Sequence, residues 1–162
     1  MSGAFLRRAR DRTMTNGRER REAWPEFLDE WERLCLESAK PRTSVVVEGE
    51  RDRAAVRALG LPGPVVLVHH GRTLSGLAQE LSQPGHTLIV LTDWDLEGGH
   101  LAQRLRQLLA PGPGKVDLEF RRRLARILHG ELAHVEGLAG WARRTAEKAG
   151  APLDHFLRPA RV

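Results

Sequence analysis

The chain has 162 residues, a formal charge of +5 and a pI near 10.5, a length that supports one ordinary domain with a real core and leaves little room for a second. No apolar stretch approaches the roughly 20 residues of a membrane span, and Cys35 is the only cysteine, which excludes an internal disulfide and a cysteine metal cage and fits a reducing, cytoplasmic setting. The chain contains no tyrosine, so no mechanism that needs a tyrosine nucleophile can run on this polypeptide alone.

Residues 1–22 are charged and without period, and read as a basic, disordered arm. Pro25 suits a first helical turn. Phe27, Leu28, Trp31, Leu34 and Cys35 follow at helical spacing, and Pro41 ends that helix. A strand is predicted over Ser44 to Val47 and a helix over Glu50 to Leu59, closed by Gly60 and Pro62. A second strand over Val65 to Val68 ends at His69-His70-Gly71. A helix over Leu74 to Leu81 precedes Pro84-Gly85, and the third strand is Thr87 to Leu91. Leu101, Ala102, Leu105, Leu108 and Leu109 form a helical stripe, broken by Pro111-Gly112-Pro113-Gly114. A brief strand is expected near Val116, then a helix marked by Phe120, Leu124, Ile127 and Leu128. A last helix carries Val135, Leu138, Ala139 and Ala142, and residues 151–162 are left as a tail. Strands alternating with helices predict an α/β fold with a mostly parallel sheet of about four strands and helices on both faces. One domain is expected over 23–150.

Two apolar runs end in acid and glycine. Val45-Val46-Val47 runs into Glu48-Gly49, and Leu88-Ile89-Val90-Leu91 runs into Thr92-Asp93-Trp94-Asp95-Leu96-Glu97-Gly98-Gly99. In α/β folds ligands sit at the carboxyl ends of strands. If the two strands are neighbours, Glu48, Asp93 and Asp95 converge, and their repulsion invites a hard divalent cation.

These motifs carry a family resemblance. Glu48-Gly49 with Asp52, followed by Asp93 and Asp95, resembles the Toprim domain, a metal-binding module of topoisomerases, bacterial-type primases, OLD-family nucleases and the maturation nuclease of 5S ribosomal RNA. Thr92 to Gly98 is similar to the T-D-x-D-x-[ED]-G of topoisomerases, and the match spans roughly residues 43–118. The size resembles small stand-alone Toprim proteins. The resemblance implies a Toprim-like, Rossmannoid three-layer fold. It implies Mg2+ as cofactor, with Mn2+ as a substitute. Glu48 would be the general acid/base or a further ligand, Asp93 and Asp95 would hold the ion, and Glu97 would lie beside it. Gly49, Asp52 and Gly98 would support the loops.

The residues themselves leave alternatives open. Two side chains two apart on an extended segment share a face, so Asp93 and Asp95 can reach one ion; Asp95 is equally a helix N-cap for the helix near Leu96. Glu48 follows three valines, and desolvation with nearby aspartates should raise its pKa, favouring proton transfer. Asp52 compensates the dipole of its own helix or supports the site. His69, Arg72, His100 and Arg122 are candidate phosphate contacts. His129, His134 and His155 carry no spacing signal. Arg121, Arg122, Arg123 and Arg126 suggest a basic face, or a solvated helix side. Lysine occurs only at Lys40, Lys115 and Lys148, so the charge is nearly all arginine, which fits a phosphate-rich partner or plain genomic base content. Trp24, Trp31 and Trp141 fit helix packing; Trp94, inside the acidic loop, is placed to stack on a base or shield the ion.

Neither a G-x-x-x-x-G-K-[ST] loop nor a G-x-G-x-x-G fingerprint is present. The expectation is Mg-dependent phosphodiester chemistry on nucleic acid, RNA or DNA, most simply of nuclease type. The alternatives are a non-catalytic nucleic-acid-binding adaptor for a partner protein, and a nucleotidyl-transfer or nucleotide-binding protein. No membrane association is expected.

Overall fold

A computed structural model describes residues 23–151. The arm expected at 1–22, and the tail beyond its first residue, lie outside the described residues. Helix α1 covers 23–38. Strand β1 (Thr43–Val47), helix α2 (Glu50–Ala58), strand β2 (Val65–Leu67) and helix α3 (Leu74–Leu81) follow. Next come β3 (Thr87–Val90), α4 (Leu96–Leu109), β4 (Lys115–Asp117) and α5 (Glu119–Ile127). A 3-10 turn at Val135–Gly137 runs into α6 (Leu138–Ala149), which ends at left-handed Gly150, φ 67°. Among the described residues, no helix is long and apolar enough to cross a membrane.

The strands pair in parallel in the order β2-β1-β3-β4. This is an α/β sheet covered on both faces, so its central strands are continuously apolar rather than alternating. Every residue of β1 is buried. Val45, Val47, Ile89 and Leu91 face the layer built by α1, α2, α5 and α6. Val46, Leu88 and Val90 face α3 and α4. The expected three-layer α/β architecture is what the chain adopts.

The predicted strand ends at Val68 and Leu91 fall one residue outside the regular strands. Both still pair: Val68 N–H donates to the Val47 carbonyl at 2.9 Å and Leu91 N–H to the Val46 carbonyl at 2.8 Å. Val135, expected in the last helix, sits in the 3-10 turn before it.

α1 adds an aromatic layer over the first face. Phe27 stacks on Trp24 and Trp31, each at 5.7 Å, and meets Trp141 of α6 edge-on at 4.9 Å. Trp31 Nε1–H donates to the Leu59 carbonyl at 2.9 Å, so the polar end of a buried indole is satisfied. These three tryptophans are core, as their helical spacing suggested.

The connectivity creates one special crevice. From β1 the chain steps outward to β2, then returns to place β3 on the other side of β1. The strand order reverses between β1 and β3, and such a switch point opens a cleft at the carboxyl ends of the strands.

Leu124 is fully buried and Leu36 is 62% exposed. Leu124→Ala should cost about 2–5 kcal/mol, and Leu36→Ala within about 0.5 kcal/mol. Urea unfolding of the two variants checks this: the midpoint should fall only for the first.

Candidate metal centre

Glu48 follows β1 and Asp93 follows β3. Val46 lies beside Val90 in the parallel register, so Glu48, two residues on, comes level with Thr92. Glu48 Oε1 accepts the Asp93 N–H at 3.0 Å. One carboxylate from the first motif therefore grips the backbone of the second.

The loop after β3 is held from several further directions. Arg121 of α5 donates from its guanidinium to the Asp93 carbonyl at 2.6 Å and from Nε to Thr92 Oγ1 at 3.1 Å. Thr92, fully buried, donates its hydroxyl to the Gly98 carbonyl at 2.7 Å. Asp93 Oδ1 accepts the Val135 N–H at 2.8 Å, and Trp94 N–H donates to the Ala133 carbonyl at 2.8 Å. These last two bonds dock the segment before α6 onto the acidic loop. Between them His134 places Nδ1 3.0 Å from Asp93 Oδ2 and 3.5 Å from Asp95 Oδ2.

Asp95 is the N-cap of α4: its Oδ1 accepts the Gly98 N–H at 2.7 Å. Capping uses one oxygen and leaves Oδ2 for a cation, so the two readings of Asp95 coexist. Gly98 is required sterically. A Cβ there would stand 2.1 Å from the Asp93 carbonyl oxygen, because the first turn of α4 packs directly on the loop backbone. Gly49 differs. Its φ of −148° is ordinary extended backbone and a Cβ would meet nothing within 4 Å, so no tight turn demands glycine there. Asp52 accepts the Gly49 N–H at 2.9 Å in the first turn of α2 and so helps to cap its own helix.

Burial raises the pKa of Glu48, and the charges of Asp93, Asp52 and Asp95 push the same way, against the lowering effect of the Asp93 N–H bond. Burial likewise raises Asp52, and the charges of Asp93 and Glu136 add to it. Burial lowers Arg121, opposed by Asp95, Glu48 and Asp93. The hydrogen bond to Asp93 is the largest influence raising His134, and the charges of Asp93, Asp95 and Glu136 reinforce it.

Asp93, Asp95 and His134 offer ligand atoms that all lie within 4.8 Å of one another. Two carboxylates and an imidazole suit a divalent ion. Neighbouring ligands of an octahedral ion bound at about 2.1 Å stand about 3.0 Å apart, close to the spacings His134 makes. The chemistry of the donor set suits such an ion.

The other sequence candidates lie around this centre. Glu97 and His100 are exposed on the first turns of α4, and His69 is exposed beside Glu48, its N–H donating to the Glu48 carbonyl at 3.0 Å. Arg72 is paired with Glu80, and Arg122 with Glu119 at 2.6 Å. The expected basic face on α5 is not a common one. Arg121 turns to the acidic loop, Arg122 pairs on its own helix, and Arg123 reaches Glu30 of α1 at 3.1 Å. Trp94 is half-buried: its ring packs against the core beneath the loop, with Nε1 buried and unbonded among the described residues. Sequence reasoning missed His134 and the orienting part of Arg121. His134 lies 41 residues from Asp93, and no periodic pattern links the two.

Gly98→Ala should destabilise the fold by about 1–3 kcal/mol. Gly99→Ala, whose Cβ meets only the Arg121 guanidinium at 3.6 Å, should be neutral or gain about 0.5–1 kcal/mol of helix propensity; thermal unfolding of both separates them. For His134 the folded pKa lies above the unfolded one. Its carboxylate contacts therefore stabilise the metal-free fold fully below the unfolded pKa, and that contribution is lost as pH rises through the folded pKa. An NMR titration should show the His134 midpoint above the ordinary histidine value, and Asp93→Asn should lower it.

A family model described as the Toprim domain matches residues 43–127, more than half of the chain. A UPF0292 protein of Methanosarcina acetivorans is 29% identical over 136 residues, covering 82% of this chain and 94% of that protein. UPF0292 proteins of Thermococcus gammatolerans and Pyrococcus furiosus are 33% and 31% identical, covering 70% and 71% of this chain and 84% and 86% of those proteins. A solved structure of a protein from Aquifex aeolicus shares the fold, with a TM-score of 0.56 at 23% identity over 67% of this chain and 94% of that one. Toprim domains bind divalent metal ions and belong to proteins that act on nucleic acid. His134 lies beyond the matched segment. The chain belongs to the Toprim family, among the small UPF0292 proteins.

Proposed function

We propose that this chain cleaves phosphodiester bonds in nucleic acid with a divalent ion, Mg2+ or Mn2+, and water as the nucleophile. The observation that supports this best is the 3.0 Å bond between Glu48 and the Asp93 backbone, which joins the two acidic motifs across the switch point. When bound, the ion neutralises phosphate charge and lowers the pKa of water.

Asp93 and Asp95 hold the ion in this reading. Glu48 has one oxygen occupied by the Asp93 N–H, so Oε2 is the atom that takes or gives a proton. Its raised pKa brings it toward the working pH, which suits that exchange. Arg121 fixes the loop through the Asp93 carbonyl and offsets part of the local negative charge. Glu97, His69 and His100 are exposed near the loop and are proposed as contacts to the ion or to phosphate. Arg72 and Arg122 sit in exposed ion pairs, worth about 0–1 kcal/mol each, so a phosphate can displace their partners cheaply.

Cleavage of labelled RNA and DNA, single- and double-stranded, with Mg2+ or Mn2+ tests the proposal. Wild type should cut in a metal-dependent way. Glu48→Gln should slow cutting by roughly 10²–10⁴-fold, and Asp93→Asn should abolish metal-dependent cutting. Products unchanged in a variant carrying both Glu48→Gln and Asp93→Asn would overturn the reading. Salt-sensitive binding without any metal-dependent cutting would instead support the adaptor role.

A further inference from the structure

We infer that His134 is a nitrogen ligand of the metal, supplied from outside the Toprim segment, and that it turns the site toward Mn2+ over Mg2+. The inference rests on the metal-dependent reading above and deepens it.

The hydrogen bonding sorts the donor atoms. Asp93 Oδ1 is taken by the Val135 N–H and Asp95 Oδ1 by the Gly98 N–H. The oxygens left over are Asp93 Oδ2 and Asp95 Oδ2, and these two face His134 Nδ1, at 3.0 and 3.5 Å. Three donor atoms are thus turned toward one another, two from the loop after β3 and one from the segment before α6. Each carboxylate is anchored by a backbone N–H at its other oxygen.

The position of His134 is imposed by backbone, not by packing of its ring. The Ala133 carbonyl and the Val135 N–H on either side are both bonded to the acidic loop. The side chain is 53% exposed, so hydrophobic burial does not account for its place and solvent can bring an ion to it. The residue is extended, φ −125° and ψ 139°, which carries the imidazole between its two bonded neighbours to the carboxylates. On metal binding the Nδ1 proton goes to solvent and its place is taken by the ion.

The ligand chemistry sets the preference. Mg2+ favours oxygen donors and retains several waters. An imidazole nitrogen suits first-row transition ions better than Mg2+, and Mn2+, though the weakest binder of that series, also accepts oxygen donors and so matches a mixed set.

The test uses the full chain and Mn2+ alone. Electron spin-echo envelope modulation of bound Mn2+ should show coupling to one directly coordinated 14N, lost in His134→Gln. Titration of the free Mn2+ signal should show His134→Gln weakening Mn2+ by about tenfold or more, with Mg2+ affinity, read by competition, changed less. A histidine that only orients Asp93 through a hydrogen bond would give no direct 14N coupling. If Mn2+ binds, is lost in Asp93→Asn, and shows no nitrogen coupling in wild type, the inference falls while the metal reading stands. If Mn2+ does not bind wild type at all, both fall. The wild-type spectrum needs no variant to fold.

Discussion

Four carboxylates, those of Glu48, Asp52, Asp93 and Asp95, are gathered near the ends of two adjacent parallel strands, and the fold has to hold them there against their mutual repulsion. It does so mainly with backbone. Glu48 grips the Asp93 N–H, Asp52 the Gly49 N–H, Asp95 the Gly98 N–H and Asp93 the Val135 N–H. Hydrogen bonds from amides to ionised carboxylates are charge-assisted and stronger than neutral ones. They fix one oxygen of each acid in place. Arg121 brings a positive charge against the loop, and His134 a ring nitrogen beside Asp93 Oδ2.

This arrangement depends on topology before it depends on any single side chain. Only the reversal of strand order between β1 and β3 puts the two acidic segments side by side. The layers above and below the sheet keep it rigid: aliphatic packing from α3 and α4 on one face, and the aromatic stack of α1 and α6 on the other. The acidic loop is therefore a short, irregular segment on a rigid support, where geometry can be held closely without a ligand.

The segment before α6 changes what the core motif alone would provide. A Toprim segment ending at residue 127 contains Glu48, Asp93 and Asp95 but not His134. The chain continues past α5, and the segment before α6 docks back on the acidic loop through Ala133 and Val135. The 3-10 turn also packs against α2, so the addition meets both the loop and that helix. Trp94 fits this picture. Its backbone pairs with Ala133 while its ring packs on the core, and the tight loop is pinned from beneath and from the side.

Much of this was legible in the residues. Apolar runs without alternation, such as Val45 to Val47 and Leu88 to Leu91, mark strands buried on both faces, and acid with glycine after them marks loops at a strand's carboxyl end. The helical stripes of Leu101 to Leu109 and Phe120 to Leu128 are local facts of 3.6-residue spacing. The family resemblance joined the two acidic motifs, and the raised pKa of Glu48 followed from the valines before it and the aspartates beside it. Gly98 was placed in the motif, but its reason, contact with the Asp93 backbone, needed coordinates. Gly49 and the arginines of α5 were read from composition and spacing, and their environments came out differently. A helical face shows which residues share a side, not which neighbour that side meets. His134 is the clearest case: nothing within several residues of it signals chemistry, and its place beside the carboxylates comes from amide bonds of its neighbours, that of Val135 reaching Asp93 42 residues away in sequence. Local pattern determines elements and candidate acids because it acts over one or two turns. Convergence of distant groups is decided by how the layers pack, and only the folded chain contains that information.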